Sequence, residues 1–574
     1  MNNLTNCVEG CNIPSSPNDL KIMMYKLKKE VDELVKSTEA KLLCHDGKIA
    51  ELCKYIENNL SNTIRCELEI MSSNGELETL ITGVVSDLIG YDFIDVKKFG
   101  AVGDGITDDT IAIKNACLAG GRVVFPKGTY LVNEDINVSS NTIIDFNGVV
   151  KRKATDLENY AIFKLENVEN VVLNNPIIVG ERDEHLGTEG EWGMGISIIN
   201  CKNITINNAD ISKTWGDGIY IGESNSDSSL GNKDINVFNA VINSVSRNGI
   251  SLTSGDGIKI KGCKITNTDR TLPMAGIDIE PNKGYFVKNV VIDDIETANN
   301  KDGILIDTKY DFENITITNH KSINDEVGFN AKRFEGKGVC VYKDAYLKGY
   351  DTNGIKVQYK FTNSKLVLKD VLFAGKSNPD VDANNRACVY IQEFNSSFIP
   401  EGLEVGGIEL DNMVYELEKG LNPNSSIVYM TTMNRKNIQF KNIITDLPFW
   451  ISGGGIDINS SKISNCEVLY KDVNAITING STYYNKVDVE TLSKNSAIYV
   501  RNNVNVLNTE YEIYVGNVNE FYHIVEFQEF DNVYYNNSTA NKKFQLTTNG
   551  GYMRFKKVNG NIYITDNVGY NAIG

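Results

Sequence analysis

Two acidic side chains on one short strand, with a third aligned beside them, offer the clearest chemistry in this sequence. In Gly276-Ile277-Asp278-Ile279-Glu280-Pro281, strand alternation turns Ile277 and Ile279 toward a core and sends Asp278 and Glu280 the other way, about 7 Å apart. Aligning the next repeat sets Asp307 beside Glu280, one strand on at roughly 5 Å. Ser251 and Thr253 fall on the strand before. Carboxylates this close repel, so one of them is expected to keep its proton near neutral pH. A protonated and an ionised carboxyl are what glycoside hydrolysis requires: one protonates the leaving oxygen while the other activates water. The Asp278–Glu280 spacing falls in the range of inverting enzymes. A solvated acidic face would have the same composition, so Asp278, Glu280 and Asp307 stand as expected catalytic residues for the structure to place.

Side chains suited to substrate contact surround this trio. Trp192 and Trp215 each lie three residues before a repeat glycine, which predicts an aromatic ladder on consecutive strands. Sugar rings stack on such faces; packing beneath the preceding loop is the alternative. Arg247 and Lys301, each two residues before a repeat glycine, flank the carboxylates and could orient an anionic substrate or form plain ion pairs. The polar insertion Gly180 to Gly193 contains His185, which lacks the second histidine that a zinc site favours; no metal site is expected. His185 and Asp217 join Trp192, Trp215, Arg247 and Lys301 as expected substrate contacts.

The element that must position these residues is a repeat. A Gly-apolar-x-apolar strand recurs at Gly195, Gly218, Gly249, Gly276 and Gly303, at intervals of 23, 31, 27 and 27 residues. A second strand recurs between them: Ile204-Thr205-Ile206, Ile235-Asn236-Val237, Ile258-Lys259-Ile260, Val290-Val291-Ile292 and Ile315-Thr316-Ile317. Short strands at such a period, joined by uneven loops, predict a solenoid. Alternation points Ile and Val inward, where successive strands stack at about 4.8 Å. Glycine and asparagine suit the corners because they tolerate left-handed dihedrals. The reading is a mainly β protein built on a right-handed parallel β-helix over 93–465, with a cap and first turns over 93–155.

Other segments read differently. Residues 1–19 are irregular and suggest an attachment segment. Leu20, Leu27 and Leu34, then Leu42, Ile49 and Ile56, give heptads broken by a four-residue stutter, so 20–71 reads as an α-helical coiled-coil stalk. A connector covers 72–92. From Cys466 onward aromatic alternating strands, with turns at Asn549-Gly550 and Asn559-Gly560, predict an antiparallel β domain over 466–574 that registers a trimer or binds glycan. A net charge of -18 argues against wrapping nucleic acid. Eleven scattered cysteines without a Cys-x-x-Cys pair suggest reduced, buried thiols rather than a disulfide framework. The N-terminus lacks the features of a signal peptide, and no stretch reaches the roughly 18 apolar residues of a membrane span.

Phe93 to Ala101, Gly103-Asp104-Gly105-Ile106-Thr107-Asp108-Asp109-Thr110 and Gly121 to Tyr130 read as a strand–turn–helix–strand cap, with Thr107 to Asp109 as the helix N-cap. Taken whole, this resembles the N-terminal signature of the pectate-lyase-like superfamily, where it has a structural role. The run through Trp215-Gly216-Asp217-Gly218, Arg247-Asn248-Gly249-Ile250-Ser251 and Gly276 to Pro281 resembles phage tailspike and preneck-appendage β-helices, over roughly 93–310. The resemblance implies a homotrimeric virion component, assembled in the host cytoplasm and joined to tail or neck proteins through its N-terminus. Its partner would be a host surface glycan, either capsular polysaccharide or wall teichoic acid, with Asp278 and Glu280 in the cleft. Carboxylate-based hydrolysis without a cofactor is the leading expectation. A lyase using calcium and a base such as Arg247, a teichoic-acid phosphodiesterase and a non-catalytic binding fibre are the alternatives.

Overall fold

The computed structural model describes residues 93–573 apart from short internal stretches, the longest being 394–407. The predicted attachment segment, stalk and connector, and the Asn549-Gly550 turn, lie outside the described residues. The chain divides into two compact units, the first holding 93–153 with 170–179 and the second 154–169 with everything from Gly180 onward.

In the first unit Phe93–Asp95 pairs parallel with Gly121–Phe125, which pairs parallel with Thr142–Phe146. A second parallel set joins Thr129–Val132 to Val149–Arg152 and that strand to Ile177–Val179. The helix Thr110–Ala119 buries Ile113, Ala116 and Cys117. Its cap falls within the predicted Thr107 to Asp109, divided between two residues. Asp109 occupies the N-cap position but makes no capping bond, because its carboxylate accepts the N–H groups of Val102 (2.6 Å) and Gly103 (3.0 Å). Asp108 takes over the helix end, accepting the N–H of Thr110 at 3.1 Å. The Asp109 bonds hold a tight turn in which Gly103, at φ 71°, faces the ring of Tyr130.

The second unit is dominated by long parallel sheets, as the repeat predicts. Ile196, Ile219, Ile250, Ile277, Ile304 and Phe329 are partners in unbroken register, and each is fully buried. Stacked apolar columns of this kind supply the core, because each strand covers the inward face of its neighbour. The repeat glycines have a different cause from the corner residues. A Cβ on Gly249 would lie 2.2 Å from Ile265 Cγ2 and 2.5 Å from the carbonyl oxygen of Gly276. Gly276 and Gly303 stand in the same relation to the carbonyls of Gly303 and Gly328, each at 2.5 Å. The column is glycine because backbone occupies the space a side chain would need.

Asparagine holds the corners, as expected. Asn208, Asn239, Asn267 and Asn299 have φ of 52°, 54°, 60° and 57°. They also bond along the ladder: Asn239 Nδ2 donates to Asn208 Oδ1 and Asn299 Nδ2 to Asn267 Oδ1, both at 3.2 Å. Asn239→Ala should therefore weaken the protein by about 1–2 kcal/mol, the cost of a left-handed residue with a Cβ and no local hydrogen bond. Asn239→Gly should recover most of that loss, and paired denaturant midpoints would reveal the difference.

The parallel ladder runs past residue 465, which corrects the predicted boundary. Cys466–Asn479 pairs parallel with Tyr484–Arg501, and that strand with His523–Gln528. Antiparallel pairing joins Glu510–Asn517 to Gly551–Val558, and Lys543–Leu546 to both His523–Gln528 and Tyr570–Ile573. The predicted Asn559-Gly560 turn closes the hairpin of Gly551–Val558 with Asn561–Val568. Aromatic alternation does not distinguish the two modes of pairing, since both have a period of two residues. Cys117, Cys201, Cys263, Cys340 and Cys388 are buried thiols rather than disulfide partners. Among the described residues no helix is long and apolar enough to cross a membrane.

Candidate active site

The site lies on the strands Ile250–Leu252, Ala275–Ile279 and Asp302–Asp307, with Ser251 opposite Asp278 and Asp278 opposite Leu305. Ile279 pairs with Ile306, so Glu280 and Asp307 follow as neighbours, as the alignment predicts. Burial differs from the expectation of two solvent-facing carboxyls. Glu280 is half-buried, whereas Asp278 is only 2% exposed. One oxygen of Asp278, Oδ2, accepts from Asn248 Nδ2 at 3.1 Å; the other, Oδ1, is buried without a hydrogen-bond partner. Burial pushes the Asp278 carboxyl well above the usual carboxylate range, and the charges of Glu280, Asp217 and Asp307 push the same way against the pull of Arg247. Asp307 is also buried, with Lys332 Nζ 3.5 Å from its Oδ2.

Asp217 and Arg247 form an ion pair beside this group. Arg247 Nη1 donates to Asp217 Oδ2 at 3.1 Å and to Oδ1 at 3.3 Å, and its Nε lies 3.8 Å from Glu191 Oε2. Asp217 has no exposed surface, and burial raises its pKa against the opposing charge of Arg247. Of the two readings left open for Arg247, the ion pair is the one observed. Lys301 adjoins Asp302, a carboxyl that burial raises to about 6 against the hydrogen bond from Asn330 and the charge of Lys301.

A relay that sequence reasoning missed borders the carboxylates. Tyr220 Oη lies 3.1 Å from Thr253 Oγ1, and Thr253 donates to Glu223 Oε2 at 2.9 Å. Asn282 Nδ2 donates to Glu223 Oε1 at 2.7 Å. Asn248, also missed, is fully buried among Asp217, Ser251 and Asp278. Register carried the available signal, because Asn248 stands three residues before outward-facing Ser251 as Asp217 stands three before Tyr220.

The insertion after Gly180 supplies one wall and corrects the tryptophan ladder. Trp192 opens the strand Trp192–Ile199, but Trp215 lies in the bend before the strand Ile219–Gly222, and the two segments are linked by the bond from Gly216 N to Gly193 O at 2.8 Å. The ring on Trp215, however, is His185, stacked at 3.8 Å between centroids and 7° from parallel. Glu181 holds His185 through Nδ1 at 3.2 Å and accepts the hydroxyl of Tyr160. Trp192 remains 45% exposed. Arg270 pins the insertion from a later loop, donating to the carbonyl of Arg182 at 2.6 Å and to Asp183 Oδ1 at 2.9 Å. A loop can cover an aromatic face that register alone leaves open.

One triad-like group is a decoy. Thr297 Oγ1 lies 2.8 Å from His320 Nε2 and 2.6 Å from Asp325 Oδ2. His320 is 1% exposed, and burial holds its imidazole neutral, with a pKa lowered to about 3. Sealed within the sheet, it joins the strands. Among the described residues no group of three or more His, Cys, Asp or Glu side chains is arranged to hold a metal ion.

Residues 93–298 match the family described as "Rhamnogalacturonase A/epimerase, pectate lyase-like". The matched segment contains Asp217, Arg247, Asn248, Asp278 and Glu280, while Asp307 lies just beyond it. The resemblance to preneck appendages is also borne out. The pre-neck appendage protein of Bacillus phage B103 is 25% identical over 300 residues, 48% of this chain and 34% of its own length. YclG of Bacillus subtilis (strain 168) is 31% identical over 221 residues, 33% of this chain and 38% of its own length. The chain thus spans little more than a third of these relatives. Among solved structures, the pre-mature bacteriophage phi29 gene product 12 is similar at 16% identity and a TM-score of 0.46, covering 86% of this chain and 78% of that one.

Proposed function

We propose that this chain is a phage appendage that binds a host surface glycan and hydrolyses it, with Asp278 as general acid. Glu280, assisted by neighbouring Asp307, activates the attacking water. The observation that carries this reading is the setting of Asp278: a buried carboxyl with one unpartnered oxygen, pushed by burial well above the usual carboxylate range, beside the more exposed Glu280. That pairing separates the acid and base roles that hydrolysis requires. The ion pair of Arg247 with Asp217 speaks against Arg247 as the free base of a lyase. Trp192 is the aromatic surface left for a sugar ring. The appendage role is supported by the phage relatives; homotrimeric assembly and attachment to tail or neck proteins through the N-terminus go with it.

The deciding experiment incubates purified protein with capsular polysaccharides and wall teichoic acids from candidate hosts and identifies the ends produced. New reducing ends are expected. Unsaturated ends would establish a lyase instead, and released polyol phosphates a phosphodiesterase. Tight binding with no new ends on any polymer would leave a receptor-binding fibre. Native mass measurement checks the trimer.

A further inference from the structure

We infer that Asn248 is a positioning residue that places the Asp278 proton on Oδ1, the oxygen that no protein group bonds. The inference rests on the carboxyl chemistry proposed above and adds the group that orients it. Asn248 is fully buried, and its amide has only one orientation that satisfies its neighbours. Its Oδ1 accepts the backbone N–H of Ala275 at 2.9 Å. Its Nδ2 therefore faces Ser251 Oγ at 3.0 Å and Asp278 Oδ2 at 3.1 Å, and an amide nitrogen there can only donate. A donor aimed at Oδ2 favours the carbonyl form of that oxygen, which leaves the acidic hydrogen to Oδ1. The backbone of Asn248 is fixed in turn, its N–H donating to Asp217 Oδ1 at 3.0 Å and its carbonyl accepting from Gly218 N at 2.9 Å. Asp217, itself held by Arg247, thus anchors the residue that orients Asp278. In hydrolysis the proton would pass from Oδ1 to the leaving oxygen as the glycosidic bond breaks, and water activated at Glu280 would supply the new hydroxyl, so atoms and charge balance.

The charged groups acting on Asp278 are Glu280, Arg247, Asp217 and Asp307, and none changes when Asn248 is replaced by a neutral residue. Infrared titration of the full chain then reads the inference without any substrate. The protonated-carboxyl band removed by Asp278→Asn should lie where a hydrogen-bonded carbonyl absorbs. In Asn248→Ala it should move to the frequency of a free carbonyl. Its titration midpoint should rise by about one pH unit or more, because a donor that steadied the ionised form has been lost. Ser251→Ala, which keeps the Asn248–Asp278 bond, should shift neither. If Asn248→Ala does not fold, the wild-type band still decides: a free-carbonyl frequency there overturns the assignment. So do an unchanged band and midpoint in a folded Asn248→Ala, or the absence of any band that depends on Asp278. Loss of glycan cleavage is a separate result; a polymer screen with no products removes the hydrolase reading and leaves the infrared outcome intact.

Discussion

Asp278→Asn is expected to reduce glycan hydrolysis about a thousandfold while leaving polymer binding intact. General acid catalysis contributes roughly 10²–10⁴ to rate, and asparagine preserves the shape while removing the transferable proton. The pH profile gives the sharper check. An acid catalyst works only while protonated, so the wild-type rate should fall as pH rises through the elevated pKa of Asp278. On Asp278→Asn substitution, stability should move the opposite way from activity. A carboxyl whose folded pKa lies above its unfolded value contributes stability that is present below the unfolded pKa and lost as pH rises through the folded one. Asp278→Asn removes that loss, and its melting temperature above the Asp278 transition should equal or exceed that of the wild type. An inactive variant that is also unfolded would argue against the assignment.

The second large effect is structural. Gly249→Val should destabilise the solenoid by about 3 kcal/mol, at the upper end of typical overpacking costs. The first added carbon already meets the Gly276 carbonyl at 2.5 Å and Ile265 Cγ2 at 2.2 Å, and backbone cannot rotate away as a flexible side chain can. Gly231→Ala provides the control: its nearest neighbour is Ser254 Oγ at 3.4 Å, an ordinary contact. Thermal unfolding should separate the two, and equal melting temperatures would show that the column yields.

The features legible in the sequence were those set by periodicity. The Gly-Ile repeat places Ile277 and Ile279 in the core and sets Asp307 beside Glu280, because a parallel ladder aligns each strand with the next. Burial on the outer face was not legible in the same way. Asp278 and Glu280 have identical alternation, yet only Asp278 is sealed, under the influence of side chains on neighbouring strands. The Trp215 position was likewise readable and its cover was not, because His185 arrives from an irregular insertion. Asn248 escaped notice since its role depends on three partners separated from it in sequence or by a strand turn. Asp109 illustrates the local version: the N-cap position was right, but two loop N–H groups claim the side chain.

The unequal spacing of the repeat glycines separates two kinds of variation. Strand register is rigid, because every glycine column position faces the backbone of the next. The excursions between strands are free to differ in length, as the 23- and 31-residue intervals do, and two of them meet through Arg270 and Asp183 at the wall of the site. On the proposed function, exchanging or lengthening those excursions would redraw which polymer fits while the acid and its neighbours remain where the ladder holds them. Recognition of a changing host surface would then drift quickly over a chemistry that stays fixed.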